Sequence, residues 1–425
     1  MGNTEWPVAA IVDGYSTGNF LPAAFERLGV AVVHVQSTPE LMPSMLAPAK
    51  DAYVGNIVCG DTVCDDPGQL DATVAELTRY RPIAVLAGQE PGVPLADALS
   101  ERMGLATNGS ALSSARRDKF RMIETVAAAG LRCARQHVAE GAEPVVTWAE
   151  REGYPVVVKP LSSASTDNVS ICHDARQVRE AALRVLGARD IFGLPNRRVL
   201  VQSYLDGTEY IVDTVSADGR RYVCGVWEYE KTVIGNGSNI YDKDVLKCPA
   251  EAPVPELITY VDQVLEVLGI RHGPVHAEVI MTPEGPALVE LGARLNGNMN
   301  PGFHDACLGA NQADLTALAY ARPGEFLDRF AGRVYTKRQE AMVHNTATTL
   351  SGEVTAVDQS AVNRIDALPT VHLVSVKVLP GKRIRPTVDL LSSPLRIFMT
   401  GPDDAGLRAD HKIIQDLKDA VYQVR

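Results

Sequence analysis

The sequence lacks several features that mark specialised classes of protein. No run of about 18 apolar residues occurs among its 425 residues, so a membrane-spanning helix is not expected. The first residues, MGNTEWPVAAIVDG, show no basic segment before an apolar stretch, and no secretory signal peptide is predicted. Positive charge is in deficit, with 41 Lys and Arg against 52 Asp and Glu, which argues against a nucleic-acid partner.

Cysteine pairs that would build a disulfide or zinc framework are missing as well. Seven cysteines are scattered along the chain, and the close pair Cys59 and Cys64 has no companion pair. Reduced thiols in a cytoplasmic protein are therefore expected. The hydrophobic fraction of 46% and the charged fraction of 22% are ordinary for a globular chain, and the length predicts two or three domains.

Strand-like and helix-like runs alternate over the first hundred residues, and this alternation predicts a parallel α/β sheet. The predicted strands are 8–12, 30–35 and 83–87, and the predicted helices are 20–28 and 95–103.

The rest of the chain changes in character near residue 115 and again near 332, where domain boundaries are predicted. Helices are expected over 118–129, 256–268 and 411–423. Strands are expected over 156–159, 199–204 and 209–215, and strands 275–281 and 286–291 form a hairpin around the turn 283–285. The last ninety or so residues read as β-rich with many turns.

Two carboxylates and an arginine occur together on the predicted hairpin, in the stretch HAEVIMTPEGPALVELGARLNG. With suitable register, Glu278 and Glu290 face each other across adjacent strands, and their repulsion calls for a cation between them. Carboxylate oxygens suit Mg²⁺, and Arg294 can reach a phosphate in a fork geometry. A plain surface hairpin with exposed glutamates is the alternative.

Lysines, a polar loop and a strand end could add a phosphate and nucleotide site. Lys159 ends the apolar run PVVVKP and Lys119 starts a helix, and both suit a phosphate partner. The loop SSASTDN, 162–168, offers small residues, including Ser163 and Ser165, to a phosphate. In VQSYLDGTEY, 201–210, backbone groups at a strand end could hydrogen-bond to the edge of a purine. Glu209 could accept hydrogen bonds from a ribose diol. Each feature alone also fits an ordinary solvated surface.

The order and spacing of these features resemble the ATP-grasp superfamily. The stretch ELGARLNG, and the C-terminal run from GEVTAVD through LPGKRIRPTVDLLSSPLRIFMTG, are similar to carboxylate–amine ligases of the bacterial L-amino-acid (dipeptide) ligase type. The resemblance implies an α/β fold that is α+β in its ATP-binding part. It comprises an N-terminal parallel α/β domain over 1–115, an ATP-grasp domain over 116–332 with a lid at about 155–227, and a β-rich C-terminal subdomain over 333–425.

The resemblance also implies roles for individual residues. Glu278 and Glu290 are expected to hold two Mg²⁺ ions, for which Mn²⁺ can substitute, and Arg294 to stabilise the transferred phosphoryl group. The expected ATP contacts are Lys119, Lys159, Ser163, Ser165, Gln202, the backbone of Ser203 and Leu205, Glu209 at the ribose, and Arg294, with Lys159 and Arg294 acting in catalysis. Two departures are the phosphate loop, which has no glycine, and Gly292, where many ATP-grasp enzymes carry a metal-binding Asn.

The implied reaction is amide-bond formation between an amino-acid carboxylate and an amine through an acyl phosphate, with release of ADP and phosphate, in natural-product biosynthesis. The expected substrate contacts are Glu90 at an α-ammonium group, Asn298 in a side-chain pocket, His276 beside the metal strand, and Arg294. For Glu90 an exposed loop glutamate is the alternative, and for His276 a structural histidine. Tyr229, Lys231 and Tyr241 are expected in a loop that covers the site.

Three other functions remain open at this point. An ATP-grasp carboxylase of the purine-synthesis or biotin-carboxylase type shares the fold but needs no amino-acid pocket. A non-catalytic ATP-binding scaffold is less compatible with the full set of glutamates, lysines and arginine. A nicotinamide-dependent oxidoreductase is disfavoured because GYSTGN after the first strand is not G-x-G-x-x-G. A homodimer is also expected.

Overall fold

The structure is a computed structural model that describes residues 6–42, 45–163, 167–233 and 239–425. Within these residues the strands form one large and three small sheets, and helices pack against them. No helix in these ranges combines the length and the apolar character needed to traverse a bilayer.

A parallel sheet forms the N-terminal part and confirms the predicted α/β unit. Its central strand is buried on both faces, as its run of apolar residues predicts. The elements are β1 (Val8–Val12), α1 (Leu21–Glu26), β2 (Ala31–Gln36), β3 (Asn56–Val58), α2 (Pro67–Thr78), β4 (Pro82–Ala87) and α3 (Val93–Arg102). The strand order is β3-β2-β1-β4.

The loops that follow β1 and β4 touch at the carboxyl edge of this sheet. A Cβ on Gly88 would lie 2.7 Å from the Cα of Gly14, so only glycine permits the approach. The chain then turns at Glu90–Gly92 in a short 3₁₀ helix, in which Glu90 is buried. The Glu90 side chain faces Arg294.

A small antiparallel sheet follows, in the order β5-β8-β6-β7, with two helices on one face. Its buried residues form a cluster of their own, including Val146, Val158 and Val185. The elements are α4 (Lys119–Ala128), β5 (Gln136–Ala139), α5 (Ala142–Glu152), β6 (Val156–Lys159), β7 (Ser170–Cys172), α6 (Ala175–Leu186) and β8 (Val199–Ser203). This sheet begins before the predicted lid boundary near 155 and ends at β8.

The large sheet crosses the predicted boundary near 332. Its strands are β9 (Thr208–Ala217), β10 (Arg220–Val233), β11 (Asn239–Leu246), β12 (Gly273–Thr282), β13 (Gly285–Gly292), β14 (Arg333–Val334), β15 (Glu340–Asn345), β17 (Val371–Val376) and β19 (Leu395–Gly401). Their order is β13-β12-β9-β10-β11-β15-β19-β17, with β14 beside β10. The direct pairing of β11 with β15 therefore joins the ATP-grasp strands to the C-terminal ones.

Helices cover the large sheet, and a third small sheet completes the C-terminal part. Trp227 on β10 packs against Phe303, with ring centroids 6.0 Å apart, in the largest apolar cluster. The remaining elements are α7 (Val254–Val267), α8 (Pro301–Leu308), α9 (Gln312–Ala321), α10 (Pro323–Arg329), β16 (Gly352–Val357), α11 (Gln359–Asp366), β18 (Arg383–Ile384), α12 (Asp404–Leu417) and β20 (Tyr422–Val424). Strands β18, β16 and β20 are hydrogen-bonded in that order.

The prediction of a final helix over 411–423 was wrong in its bounds. Helix α12 begins seven residues earlier because the Asp403 side chain accepts a hydrogen bond from the backbone N–H of Gly406 and caps it. The last residues instead form β20, which pairs with β16. Its cross-strand pairing with residues about seventy positions earlier is a long-range contact that local periodicity does not reveal.

Candidate active site

The hairpin of β12 and β13 places two carboxylates side by side. Glu278 and Glu290 are direct partners in the antiparallel register, and a bulge follows at Glu278/Val279. Directly opposed residues share one face of a sheet, so the predicted juxtaposition is found. The side chains are 17% and 22% exposed. Two oxygen donors in a mostly enclosed position form a donor set that suits Mg²⁺.

Lysines from two other elements converge on these carboxylates. Asp118 caps α4 by accepting a hydrogen bond from Arg121 N–H, and Lys119, the first residue of the helix, contacts Glu290. Burial opposes ionisation of Glu290, but Lys119 and Lys159 outweigh it and hold its pKa below the ordinary value.

Lys159 ends β6 and is only 4% exposed. Burial, together with the neighbouring charge of Lys119, lowers its pKa to about 8, although three glutamates of the site act in the opposite direction. A buried ammonium group of this kind is stabilised when an anion binds beside it.

Arg294 is held next to Glu90, which the structure buries rather than exposes. The Arg294 Nε donates to Glu90 Oε2 at 3.2 Å, and Nη1 donates to the Leu295 carbonyl at 2.9 Å. Glu90 is 8% exposed, so the alternative of an exposed loop glutamate was wrong. A Cβ at Gly292 would lie 2.8 Å from Glu90 Oε2 and 3.1 Å from Arg294 Nε. The glycine at this position thus makes room for the Glu90–Arg294 pair.

The segment predicted to read adenine lies at the end of β8, beside β6. Gln202 pairs with Val157 in the sheet, and its side chain donates to Gln136 Oε1 at 3.1 Å. The backbone N–H of Ser203 donates to the Arg135 carbonyl at 2.8 Å, and this N–H is therefore already engaged. Leu205 follows and is half-buried, in a connection to β9 whose other residues are exposed.

Glu209 lies near the start of β9 and is 3% exposed. Its Oε2 is 2.5 Å from Lys231 Nζ. Burial raises the pKa of Glu209, and the lysine opposes that rise. Lys231 and Tyr229 were expected in a loop, but both lie in β10, which extends to Val233.

The predicted phosphate loop is only partly described. Ser163 is buried, and its Oγ donates to Asp167 Oδ2 at 2.6 Å. Ser165, also predicted to contact ATP, lies outside the described residues, as does the 234–238 portion of the predicted covering loop.

His276 forms the centre of a buried chain that leads away from the carboxylate pair. Its Nε2 is 3.2 Å from Glu278 Oε1, and its Nδ1 is 2.9 Å from Asp213 Oδ1. Asn296 Nδ2 donates to the other Asp213 oxygen at 2.7 Å. Burial opposes protonation of His276, but the hydrogen bonds to Asp213 and Glu278 outweigh it and raise its pKa to about 9. The imidazolium therefore orients Glu278 near neutral pH.

Asn298 joins a second buried polar group on the same side of the sheet. Its Nδ2 donates to Asp244 Oδ2 at 2.5 Å. Burial raises the pKa of Asp244 to about 7, against the hydrogen bond from Asn298. In the described part of the chain, Asp244 Oδ1 and Asn345 Nδ2 are both buried without a hydrogen-bond partner. Arg396 donates to Asn345 Oδ1 at 3.1 Å.

Asp213, Asp244 and Arg396 were not predicted. Asp213 is a charged residue inside the buried strand sequence TEYIVDTVSA, and this was the available signal, because a buried charge in a strand requires partners. Asp244 and Arg396 lie on β11 and β19, and only the pairing of these strands through β15 brings them near Asn298.

Comparison with known proteins agrees with this geometry. Residues 152–301 match the ATP-grasp domain family. The chain is 33% identical to dapdiamide A synthase of Enterobacter agglomerans, over 98% of this chain and 97% of the relative. Among solved structures, an L-amino acid ligase from Bacillus licheniformis superposes with a TM-score of 0.75 at 18% identity, covering 97% of each chain. The purK N5-carboxyaminoimidazole ribonucleotide synthetase superposes at 0.70 with 13% identity, covering 98% of this chain and 97% of that one.

Proposed function

Since this chain belongs to the ATP-grasp carboxylate–amine ligases, which form amide bonds at the expense of ATP with Mg²⁺, we propose that it activates an amino-acid carboxylate as an acyl phosphate at the Glu278–Glu290 pair. The proposal depends on the cross-strand pair of Glu278 and Glu290, which Lys119, Lys159 and Arg294 surround. The relative's name points to a product of natural-product biosynthesis for that protein, and we propose the same class of pathway for this chain.

We assign the charged groups according to where negative charge gathers. Glu278 and Glu290 would hold two Mg²⁺ ions, for which Mn²⁺ would substitute, and the metal when bound neutralises phosphate oxygens. We assign the phosphates of ATP to Lys119 and Lys159, and to the hydroxyl groups of Ser163 and Ser165. Arg294 stabilises the transferred phosphoryl group, and its contact with Glu90 keeps the guanidinium in position before substrate binds.

The nucleotide base and ribose are assigned to the junction of β8 and β9. Because the Ser203 N–H already donates to the Arg135 carbonyl, we assign adenine to the Gln202 side-chain oxygen, the Ser203 carbonyl and the Leu205 N–H. Glu209 accepts hydrogen bonds from the ribose. Its buried contact with Lys231 holds the carboxylate in place.

The amino-acid substrate is assigned to the buried polar side of the sheet beyond Glu278. Tyr229 is the register partner of Asp244, and Asp244 is the partner of Val343 on β15. Asn345, two residues after Val343, is the partner of Arg396, so all four polar residues line one face. The Tyr229 hydroxyl is 3.4 Å from Glu278 Oε1, which connects this face to the carboxylate pair. Asn298 and the unpartnered Asp244 oxygen favour an acid whose side chain donates a hydrogen bond, and Glu90 would receive its ammonium group.

Product analysis with pools of substrates tests the reaction. We expect ADP and phosphate only with particular pairs of amino-acid carboxylate and amine. AMP and pyrophosphate would refute the acyl phosphate, and turnover with bicarbonate alone would indicate a carboxylase. Glu290→Gln should lower kcat/KM by about 100-fold or more because one metal ligand loses its charge. Glu284→Gln, at the exposed tip of the same hairpin, is the matched control and should leave the rate unchanged.

The homodimer, the cytoplasmic location and the lack of a nucleic-acid partner stay predictions, as do the domain boundaries near 115 and 332.

A further inference from the structure

Three metal-ligating side chains converge outside the proposed active site. His344 on β15 places Nδ1 2.9 Å from Asp242 Oδ1, and His411 on α12 places Nε2 3.9 Å from the same oxygen. One potential ligand atom from each residue lies within 4.8 Å of the others. All three residues belong to the part of the chain that the structure describes.

A bulge in β11 aims Asp242 at this cluster. In the pairing with β10, Glu230 is opposite Lys243 and Lys231 is opposite Tyr241, so Asp242 is the extra residue. A bulge re-aims the side chain of its extra residue. Asp242 consequently points to the side of His344, whose register partner is Lys243, and not to the side of Asp244.

We propose that Asp242, His344 and His411 form a binding site for a transition-metal dication of the Zn²⁺ class, separate from the Mg²⁺ carboxylates. Two imidazole nitrogens and one carboxylate are the donors that Zn²⁺ takes in proteins, whereas Mg²⁺ takes oxygen. Tetrahedral ligands with bonds of about 2.0–2.1 Å stand about 3.3 Å apart. The distances from Asp242 Oδ1 to His344 Nδ1 and His411 Nε2, 2.9 and 3.9 Å, lie on either side of that value.

The surrounding groups are compatible with metal binding. Lys243 Nζ contacts the other carboxylate oxygen, Oδ2, at 2.7 Å, which leaves Oδ1 facing the imidazoles. The Gln415 amide lies 2.8 Å from His344 Nε2 and 3.1 Å from His411 Nε2. Turned by 180°, this amide would accept a hydrogen bond from His344 Nε2–H, which is the arrangement that orients metal-bound histidines.

The site would fasten the C-terminal helix to the strands beside the active site. Arg408, also on α12, is 2.9 Å from Glu230 of β10, one residue before the lysine that contacts Glu209. A bound dication would therefore add a second connection between α12 and the strand pair β10–β11. We expect its effect on stability to exceed its effect on turnover.

Titration of the chelator-stripped full chain with Zn²⁺, in competition with a chromophoric chelator, tests the site. The parent and His173→Ala, which removes an exposed histidine, should each bind one Zn²⁺ at this site and gain thermal stability from it. His411→Ala should bind Zn²⁺ more than about tenfold more weakly and gain no stability. Glu290→Gln should bind Zn²⁺ as tightly as the parent does. If Zn²⁺ were instead bound by the Mg²⁺ carboxylates, this substitution would weaken its binding.

Equal Zn²⁺ affinity of the parent and His411→Ala, or no binding by the parent, would overturn the proposal. Should the alanine variant fail to fold, Co²⁺ bound to the parent decides the question by its visible spectrum. Intense bands of a tetrahedral nitrogen and oxygen site support it, and the weak bands of an octahedral ion contradict it.

Discussion

Nucleotide binding should be coupled to the uptake of a proton by Lys159. In the free protein its pKa is about 8, because it is buried and lies near Lys119, against an ordinary value of 10.5. Phosphates beside the ammonium would restore at least the ordinary value. A shift of that size corresponds to about 3 kcal/mol in favour of the charged form.

The number of protons follows from the two pKa values. At pH 8 about half of the free molecules carry a neutral Lys159, so binding takes up about 0.5 proton per nucleotide. Uptake should fall to about 0.1 at pH 7 and rise to about 0.9 at pH 9. Because the bound state holds more protons, affinity should weaken with rising pH, by about tenfold between pH 7 and 9.

Calorimetric titration of MgATP, without acid or amine, in buffers of different ionisation enthalpy measures this number directly. Lys159→Arg keeps the charge but does not titrate, so it should bind without proton uptake at any of these pH values. Lys412→Met removes an exposed lysine of α12 and should behave as the parent. Proton uptake that is independent of pH, or that persists in Lys159→Arg, would refute this account of the site.

Three further substitutions test other parts of the structure. Arg116→Met should lower the free energy of unfolding by about 3–5 kcal/mol in denaturant titrations, because it leaves the buried Asp97, 3.6 Å away, without its cation. Asn298→Trp should raise KM for acids with large side chains about tenfold or more and leave KM for ATP unchanged; an unchanged acid range would contradict the assigned pocket. Gly292→Asn should displace the Glu90–Arg294 pair and reduce kcat about 100-fold with folding retained, and unchanged kcat would show that the pair is dispensable.

Local signals in the sequence were sufficient for much of the fold and for the centre of the site. The apolar strands of the N-terminal sheet, the hairpin and the opposition of Glu278 and Glu290 depend on residues close in sequence. The partners of His276 and Asn298 were not predictable in this way. Asp213 lies 63 residues from His276, and Asp244 lies 54 residues from Asn298. Their meeting depends on which strands pair across the large sheet.

The proposed active site is shared between the large sheet and a separate small sheet. Main-chain hydrogen bonds run without interruption from β13 through β11 and β15 to β17. The metal carboxylates and the C-terminal strands therefore belong to one continuous sheet. The small sheet that carries Lys159 and Gln202 is hydrogen-bonded within itself and has a separate apolar core. We therefore expect a nucleotide to enter when the small sheet tilts relative to the large sheet, with the connecting chain near residues 135 and 205 as the hinge. Substitutions that make the chain near residues 135 and 205 more rigid should slow nucleotide exchange more than they slow the chemical step at the large sheet.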